Sequence, residues 1–189
     1  VMWSFLPRYD WAMPRHKELE ATRWTTISPW DTSMADQERH NTLAGSETQQ
    51  ADWKNRQELM IETGVKPFAE AIYRHAANEY HETYLSWKSI IWLQNILEKR
   101  GIKYMFTLAD NSLFYNKFDH HKDQDKFMNA LHNEIDLTKW FSFGERMMGF
   151  NQWALMNEYE RGTTHPLDKA HEDAVKLMLP RYKKIKGGL

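Results

Sequence analysis

The stretch from Pro67 to Arg100 constrains this chain most. Phe68, Ile72, Tyr80, Tyr84, Trp87, Ile91 and Leu97 recur at helical intervals along it. Pro67 suits a first helical turn, because its missing N–H has no partner there anyway. Lys99 and Arg100 place cations where the helix dipole favours them, and Gly101 suits the left-handed residue that ends a helix. The run Ile102-Lys103-Tyr104-Met105-Phe106-Thr107-Leu108-Ala109 follows at once and reads as a strand. The opening Val1-Met2-Trp3-Ser4-Phe5-Leu6 is equally apolar and reads as a buried strand. A strand, a long connection ending in a helix and a second strand predict a parallel pairing, and so an α/β fold.

The remaining segments are arranged around that unit as one domain over residues 1–189. Pro7 and Pro14 bracket Arg8, Asp10 and Trp11 and exclude a central strand there. Residues 15–50 are polar, with Trp24, Ile27 and Trp30 as isolated anchors, and read as a long loop or insert with short helical pieces. Asp52 to Glu62 has helical spacing with Asp52 as N-cap, before Gly64 and Pro67 interrupt. A further helix is expected over 124–134, and Trp140-Phe141-Ser142-Phe143 as a strand or buried turn. Residues 144–160, rich in aromatics and Met, are expected to contain helical pieces. The last helix is expected from Pro166 to about Leu179, with Leu167, Ala170, Ala174, Leu177 and Met178 inward, Pro180 as its stop and 181–189 as a tail. The chain opens on Val1, inside a strand with no lead-in. Upstream sequence is therefore expected, against the plainer reading of a GTG start or a processed terminus.

Composition narrows the function classes. With 41% hydrophobic and 27% charged residues the chain can bury a core. A net charge of -1 argues against a dedicated nucleic-acid binder. The absence of cysteine excludes a disulfide scaffold, a thiolate metal site and a cysteine nucleophile. No apolar run approaches the roughly 20 residues that span a bilayer, so no membrane partner is expected. No cofactor is expected either.

Gly162-Thr163-Thr164-His165-Pro166-Leu167-Asp168-Lys169-Ala170-His171 holds the most chemistry. A proline opening a helix holds His165 on a rigid junction, where a general base can be fixed in geometry. The structural alternative is a histidine that caps the helix and bonds the backbone. This His-Pro-Leu-x-x-Ala-His run, before an amphipathic terminal helix, resembles the last block of SGNH/GDSL-type hydrolases, and more closely that of SGNH-like proteins encoded by marine bacteriophages. Trp3-Ser4-Phe5-Leu6-Pro7-Arg8-Tyr9-Asp10 resembles a strand signature of that family. Trp92-Leu93-Gln94-Asn95-Ile96-Leu97 leading to Gly101-Ile102-Lys103-Tyr104 resembles its long helix and following strand.

The resemblance implies a three-layer α/β/α flavodoxin-like (SGNH-type) domain with a parallel sheet, here N-terminally incomplete. It implies hydrolysis of an ester, or deacetylation of a glycan, by a Ser-His(-Asp) arrangement. The Gly-Asp-Ser nucleophile block, with the Gly and Asn of the oxyanion site, would lie upstream of Val1. Only the histidine transfers, to His165. Gly162 stands where the family carries its acid, and such an acid fixes the imidazole tautomer. Asp168 is near enough in sequence to be considered in its place; the plainer alternative is a helix cap, since an aspartate at a helix start is an ordinary N-terminal residue.

Other candidates have plainer alternatives. Ser112, in Asp110-Asn111-Ser112 after a strand, superficially resembles a nucleophile block, but Asn and Ser are ordinary turn residues. Ser4 lies near the carboxyl end of a strand, where α/β sheets place ligands; its alternative is a buried serine bonded to backbone. Arg8 and Asp10, beside Trp11, suit a ligand carboxylate or phosphate, or a structural ion pair. Asp119-His120-His121-Lys122-Asp123 carries metal-type ligands but reads better as a solvated turn. His75, Glu79 and Glu82 share a helical face without the Glu-x-x-His partner of a di-metal bundle. The expected function is hydrolysis of a small-molecule or glycan ester with His165 as general base, in the host cytoplasm or associated with a virion. The rival is a non-catalytic virion or carbohydrate-binding module. A mostly helical fold without a parallel sheet would point instead to a structural protein whose resemblance is accidental.

Overall fold

The computed structural model describes residues 1–3, 9–12, 24–32, 58, 61, 64–115, 122–162 and 165–187. They fall into two compact units, one of Val1–Leu6 with Glu79–Leu189 and one of Pro7–Asn78. The expected three-layer flavodoxin-like sheet is not what forms. The described residues are mostly helical, and their parallel sheet is a single pair of two-residue strands, β1 (Met2–Trp3) and β4 (Thr107–Leu108).

In the first unit Met2 faces Thr107 and Trp3 faces Leu108, with the Ala109 N–H donating to the Trp3 carbonyl at 2.8 Å. On the other side of this segment Phe106 makes one parallel bridge to Trp140, where the 140–143 segment begins. Among the described residues the apolar run 102–109 thus pairs over three residues only. Gly101 adopts φ +64° and ends the preceding helix, Ile102 and Lys103 are exposed, and Tyr104 turns back to donate to Glu98 at 2.8 Å. That hydrogen bond, with burial as the larger cause, pushes the Tyr104 phenol well above its ordinary value.

The long helical signal forms two helices, α1 (Val65–His75) and α2 (Glu79–Lys99), separated at 76–78. His75 therefore lies on a different helix from Glu79 and Glu82. Trp87 and Ile90 of α2 pack with Phe106, Leu108, Leu113, Met128, Ile135 and Trp140 in the main core. Met128 comes from α4 (Lys122–Asn133), close to the expected 124–134, and Leu113 from the short α3 (Ser112–Tyr115). Buried Gln94 fastens the far end of α4: its Nε2 donates to the Glu134 carbonyl at 3.0 Å and its Oε1 accepts from the Asp136 N–H at 2.8 Å. Two backbone groups beyond the helix end are satisfied by one side chain.

The His132 ring lies 5.1 Å from Trp87 and 5.7 Å from Phe114, and burial lowers its pKa below the ordinary imidazole value of 6.5. The unfolded chain therefore binds this proton more readily than the folded one. Its contribution to stability is complete above the unfolded value and is lost as pH falls through 6.5 toward the lowered folded value. Thermal melts at about pH 7.5 and about pH 5.5 should show a lower midpoint in acid, and His132→Leu should shrink the difference. An undiminished difference in the variant would rule out this origin.

A second cluster joins Phe143, Phe150, Trp153, Ala154, Ala170 and Ala174. It is built by α5 (Phe150–Met156) and α6 (Asp168–Lys186), and the small side chains of Ala170 and Ala174 sit at the contact. Asp173 accepts from Lys176 at 2.8 Å, Lys169 at 2.9 Å and the Tyr159 hydroxyl at 3.0 Å, which hold its carboxyl well below the usual carboxylate range. Pro180 does not stop α6, which runs on to Lys186. A proline removes one hydrogen bond, here to the carbonyl of Lys176, and both residues are exposed, so water can take the lost partner's place.

In the second unit β2 (Tyr9–Ala12) and β3 (Trp24–Ile27) pair antiparallel, with Tyr9 facing Ile27 and Ala12 facing Trp24. A strand thus occurs inside the expected loop region. A single helical turn, Pro29–Asp31, follows. The buried Asp31 accepts from the N–H and hydroxyl of Ser28 at 2.8 and 3.0 Å. Tyr73 of α1 donates to the Ile27 carbonyl at 3.0 Å, and Ile27, Val65 and Ala69 are buried. The helix expected over 52–62 and the Asp119–Asp123 ligand run lie largely outside the described residues.

Candidate functional site

The best-constructed polar arrangement among the described residues follows β4. Asp110 Oδ1 accepts from the Ser112 N–H at 2.9 Å, an Asx turn that starts α3. Asp110 Oδ2 accepts from Gln152 Nε2, and Gln152 Oε1 accepts from the Asn111 N–H at 3.2 Å. The Asn151 N–H donates to the Ala109 carbonyl at 2.9 Å. The first turn of α5 is therefore clasped to the turn Ala109–Ser112 by both backbone and side chain. Gly149, just before α5, makes the approach feasible: a Cβ there would stand 2.7–2.8 Å from the N, Cα and C of Asp110.

The preceding turn is strained. Arg146 and Met147 adopt φ of 52° and 57°, values that side chains bearing a Cβ seldom take. Ser142 Oγ donates to the Gly144 carbonyl at 2.6 Å and the Phe143 N–H to the Met148 carbonyl at 3.1 Å, which close the turn around the two residues. Backbone strain of this kind collects at functional sites more often than elsewhere.

Ser112 Oγ is shielded from solvent and has no hydrogen-bond partner among the described residues. A serine nucleophile needs a base within reach of its hydroxyl, and Ser112 has none there. Asp110 engages both carboxylate oxygens with donors, so it orders the turn.

His165 lies in a different, well-fixed turn. The Gly162 N–H donates to the His165 carbonyl at 2.9 Å, Arg161 and Pro166 form an antiparallel bridge, and the Leu167 N–H donates to the Glu160 carbonyl at 3.0 Å. The backbone is tied on both sides of the histidine, whose side chain is exposed. Pro166 is buried and does not itself open α6, which begins at Asp168 with Leu167 as N-cap. Asp168 is an exposed first-turn acid. No hydrogen bond among the described residues joins it or Ser112 to His165. His171, one turn into α6, places its ring 4.7 Å from Phe150.

Ser4 and Arg8 lie outside the described residues. Asp10 is in β2 opposite Thr26, with its side chain outside them. Among the described residues no three His, Asp or Glu side chains are grouped to hold a metal ion. No family model, curated protein or solved structure matches the chain.

Gln152, Gly149 and Arg146 were not singled out by sequence reasoning. Gly149 did carry a signal, a glycine between the bulky Met148 and Phe150, which marks a close backbone approach. Nothing in the sequence distinguishes Gln152 or the strained Arg146.

Proposed function

We propose that the chain acts in ester hydrolysis, on an acetylated glycan or a small ester, with His165 as general base. The observation that supports this reading is the backbone flanking His165, tied by the Gly162–His165 and Leu167–Glu160 hydrogen bonds and leaving the histidine exposed to a substrate. A base held this way takes a proton from the attacking hydroxyl as oxygen bonds to the acyl carbon. It returns that proton to the departing alkoxide as the ester C–O bond breaks.

The test is hydrolysis of p-nitrophenyl acetate and of acetylated chito- and xylo-oligosaccharides by the chain and by His165→Ala. Loss of a general base should lower the rate about 100-fold or more. A second variant asks about the orienting acid. A Cβ at Gly162 meets nothing nearer than Leu167 Cδ2 at 3.5 Å, so Gly162→Asp is sterically admitted. Under this reading it should raise the rate. An unchanged rate in His165→Ala, or no turnover by any variant, would overturn the reading. Retained binding of the same oligosaccharides without turnover would favour a non-catalytic glycan-binding module, a reading supported by the lack of an acid or serine bonded to His165 among the described residues.

A further inference from the structure

The outer face of α6 combines two properties that the core does not explain. Its inner face is fixed by Ala170 and Ala174. On the outer face Val175, Leu179 and Tyr182 are 60%, 41% and 47% exposed. At i, i+4 and i+7, and about 100° per residue, they fall within an arc of roughly 60° and form one apolar stripe along the helix. Lys186 continues the stripe one turn further, and Lys176 and Lys183 border it.

Charge is concentrated at the same end. Residues 174–189 contain Lys176, Arg181, Lys183, Lys184 and Lys186 and no acid. The whole chain has 25 basic and 26 acidic residues, so residues 1–173 carry 20 and 26, a balance of -6 against +5 for this segment. Lys176 is paired with Asp173, and Arg181 donates to the Thr138 carbonyl. Lys183 and Lys184 are exposed and make no ion pair among the described residues. Lys103 adds a further cation, with its Nζ 2.7 Å from the Lys186 carbonyl at the helix end.

We infer that this face of α6 adsorbs to an anionic membrane surface. Exposed apolar side chains interleaved with lysines suit the boundary between headgroups and acyl chains. A nucleic-acid surface would use the cations and leave the Val175–Leu179–Tyr182 stripe in water. No helix among the described residues is long and apolar enough to cross a membrane; the contact proposed here lies along the surface.

The experiment is co-sedimentation of the full chain with vesicles of pure phosphatidylcholine and of phosphatidylcholine mixed in equal parts with phosphatidylglycerol. Binding is expected to the mixed vesicles only and to fade as salt is raised. The double variant Lys183→Glu, Lys184→Glu should weaken it at least about 25-fold, since each cation near such a surface contributes roughly a factor of five. Leu179→Ser with Tyr182→Ser should weaken it at unchanged charge. Circular dichroism and a thermal melt of each variant establish that it is folded. Equal binding to both vesicle types, binding insensitive to the charge reversal, or no binding overturns the inference. So does retention of a DNA duplex by a chain that leaves the mixed vesicles unbound, or self-association through the stripe in their place.

Discussion

Phe106→Ala should lower the unfolding free energy by about 3–5 kcal/mol, the range for removing a fully buried aromatic side chain. Phe106 is 0% exposed and is the residue on which the main core converges. Its ring lies 4.7 Å from Tyr104, 5.3 Å from Trp140 and 5.9 Å from Trp3, two of these edge-on. Its backbone is engaged on the Trp140 side as well, donating to the Lys139 carbonyl at 2.9 Å and accepting from the Phe141 N–H at 2.8 Å. Truncation leaves a cavity bounded by three rigid rings that cannot all close on it. A typical domain has only about 5–15 kcal/mol of stability, so the variant should melt much earlier or fail to fold. Phe106→Leu retains most of the volume and keeps the test readable if alanine proves too severe. Urea denaturation gives the measurement. A loss below about 1 kcal/mol for alanine would mean that this core is not packed around Phe106.

Gly149→Ala should cost about 3 kcal/mol, the upper part of the range for forcing extra volume into a packed site. The added Cβ would meet the N, Cα and C of Asp110 at 2.7–2.8 Å, and backbone cannot turn aside as a flexible side chain can. The turn Asp110–Ser112 must move, and its clasp to Gln152 must lengthen. The Asn111 amide, which donates to Gln152 Oε1, should therefore lose protection against hydrogen exchange in the variant. Gly162→Ala provides the comparison, because a Cβ there makes only ordinary contacts, the nearest at 3.5 Å. Equal stability of the two alanine variants would contradict the close approach at Gly149.

The sequence carries the helices better than the sheet. The end of α2 at Lys99, with Gly101 left-handed beyond it, follows from local chemistry, as does α4 over Lys122–Asn133. Each depends on residues within a turn or two of one another. Strands do not. Ile102–Ala109 has the composition of a full strand, but its length is set by what lies beside it: two residues of β1 and a single bridge at Trp140. Pro180 misled for a similar reason, since whether a lost hydrogen bond matters depends on whether water can replace it. At the site, the Asx turn of Asp110 is readable locally. The Gln152 that holds it comes from 41 residues away and leaves no local trace. The fixed turn of His165 was visible in Pro166, yet its ties are backbone bonds to Glu160 and from Gly162, where side-chain identity says little.

The pairing of Met2 with Thr107 also sets an order of events during synthesis. β1 leaves the ribosome well before its partner, and at about 5–20 residues per second it waits roughly 5–20 s for β4 to emerge. Through that interval Met2 and Trp3 have neither their strand partner nor the Phe106 ring to cover them. The helices that emerge before β4, α1 and α2, can meanwhile form from near neighbours in sequence, so β1 joins late, by closing a long loop. Slow docking of this kind would give the nascent chain a window in which a chaperone, or another copy's unpaired strand, competes for β1.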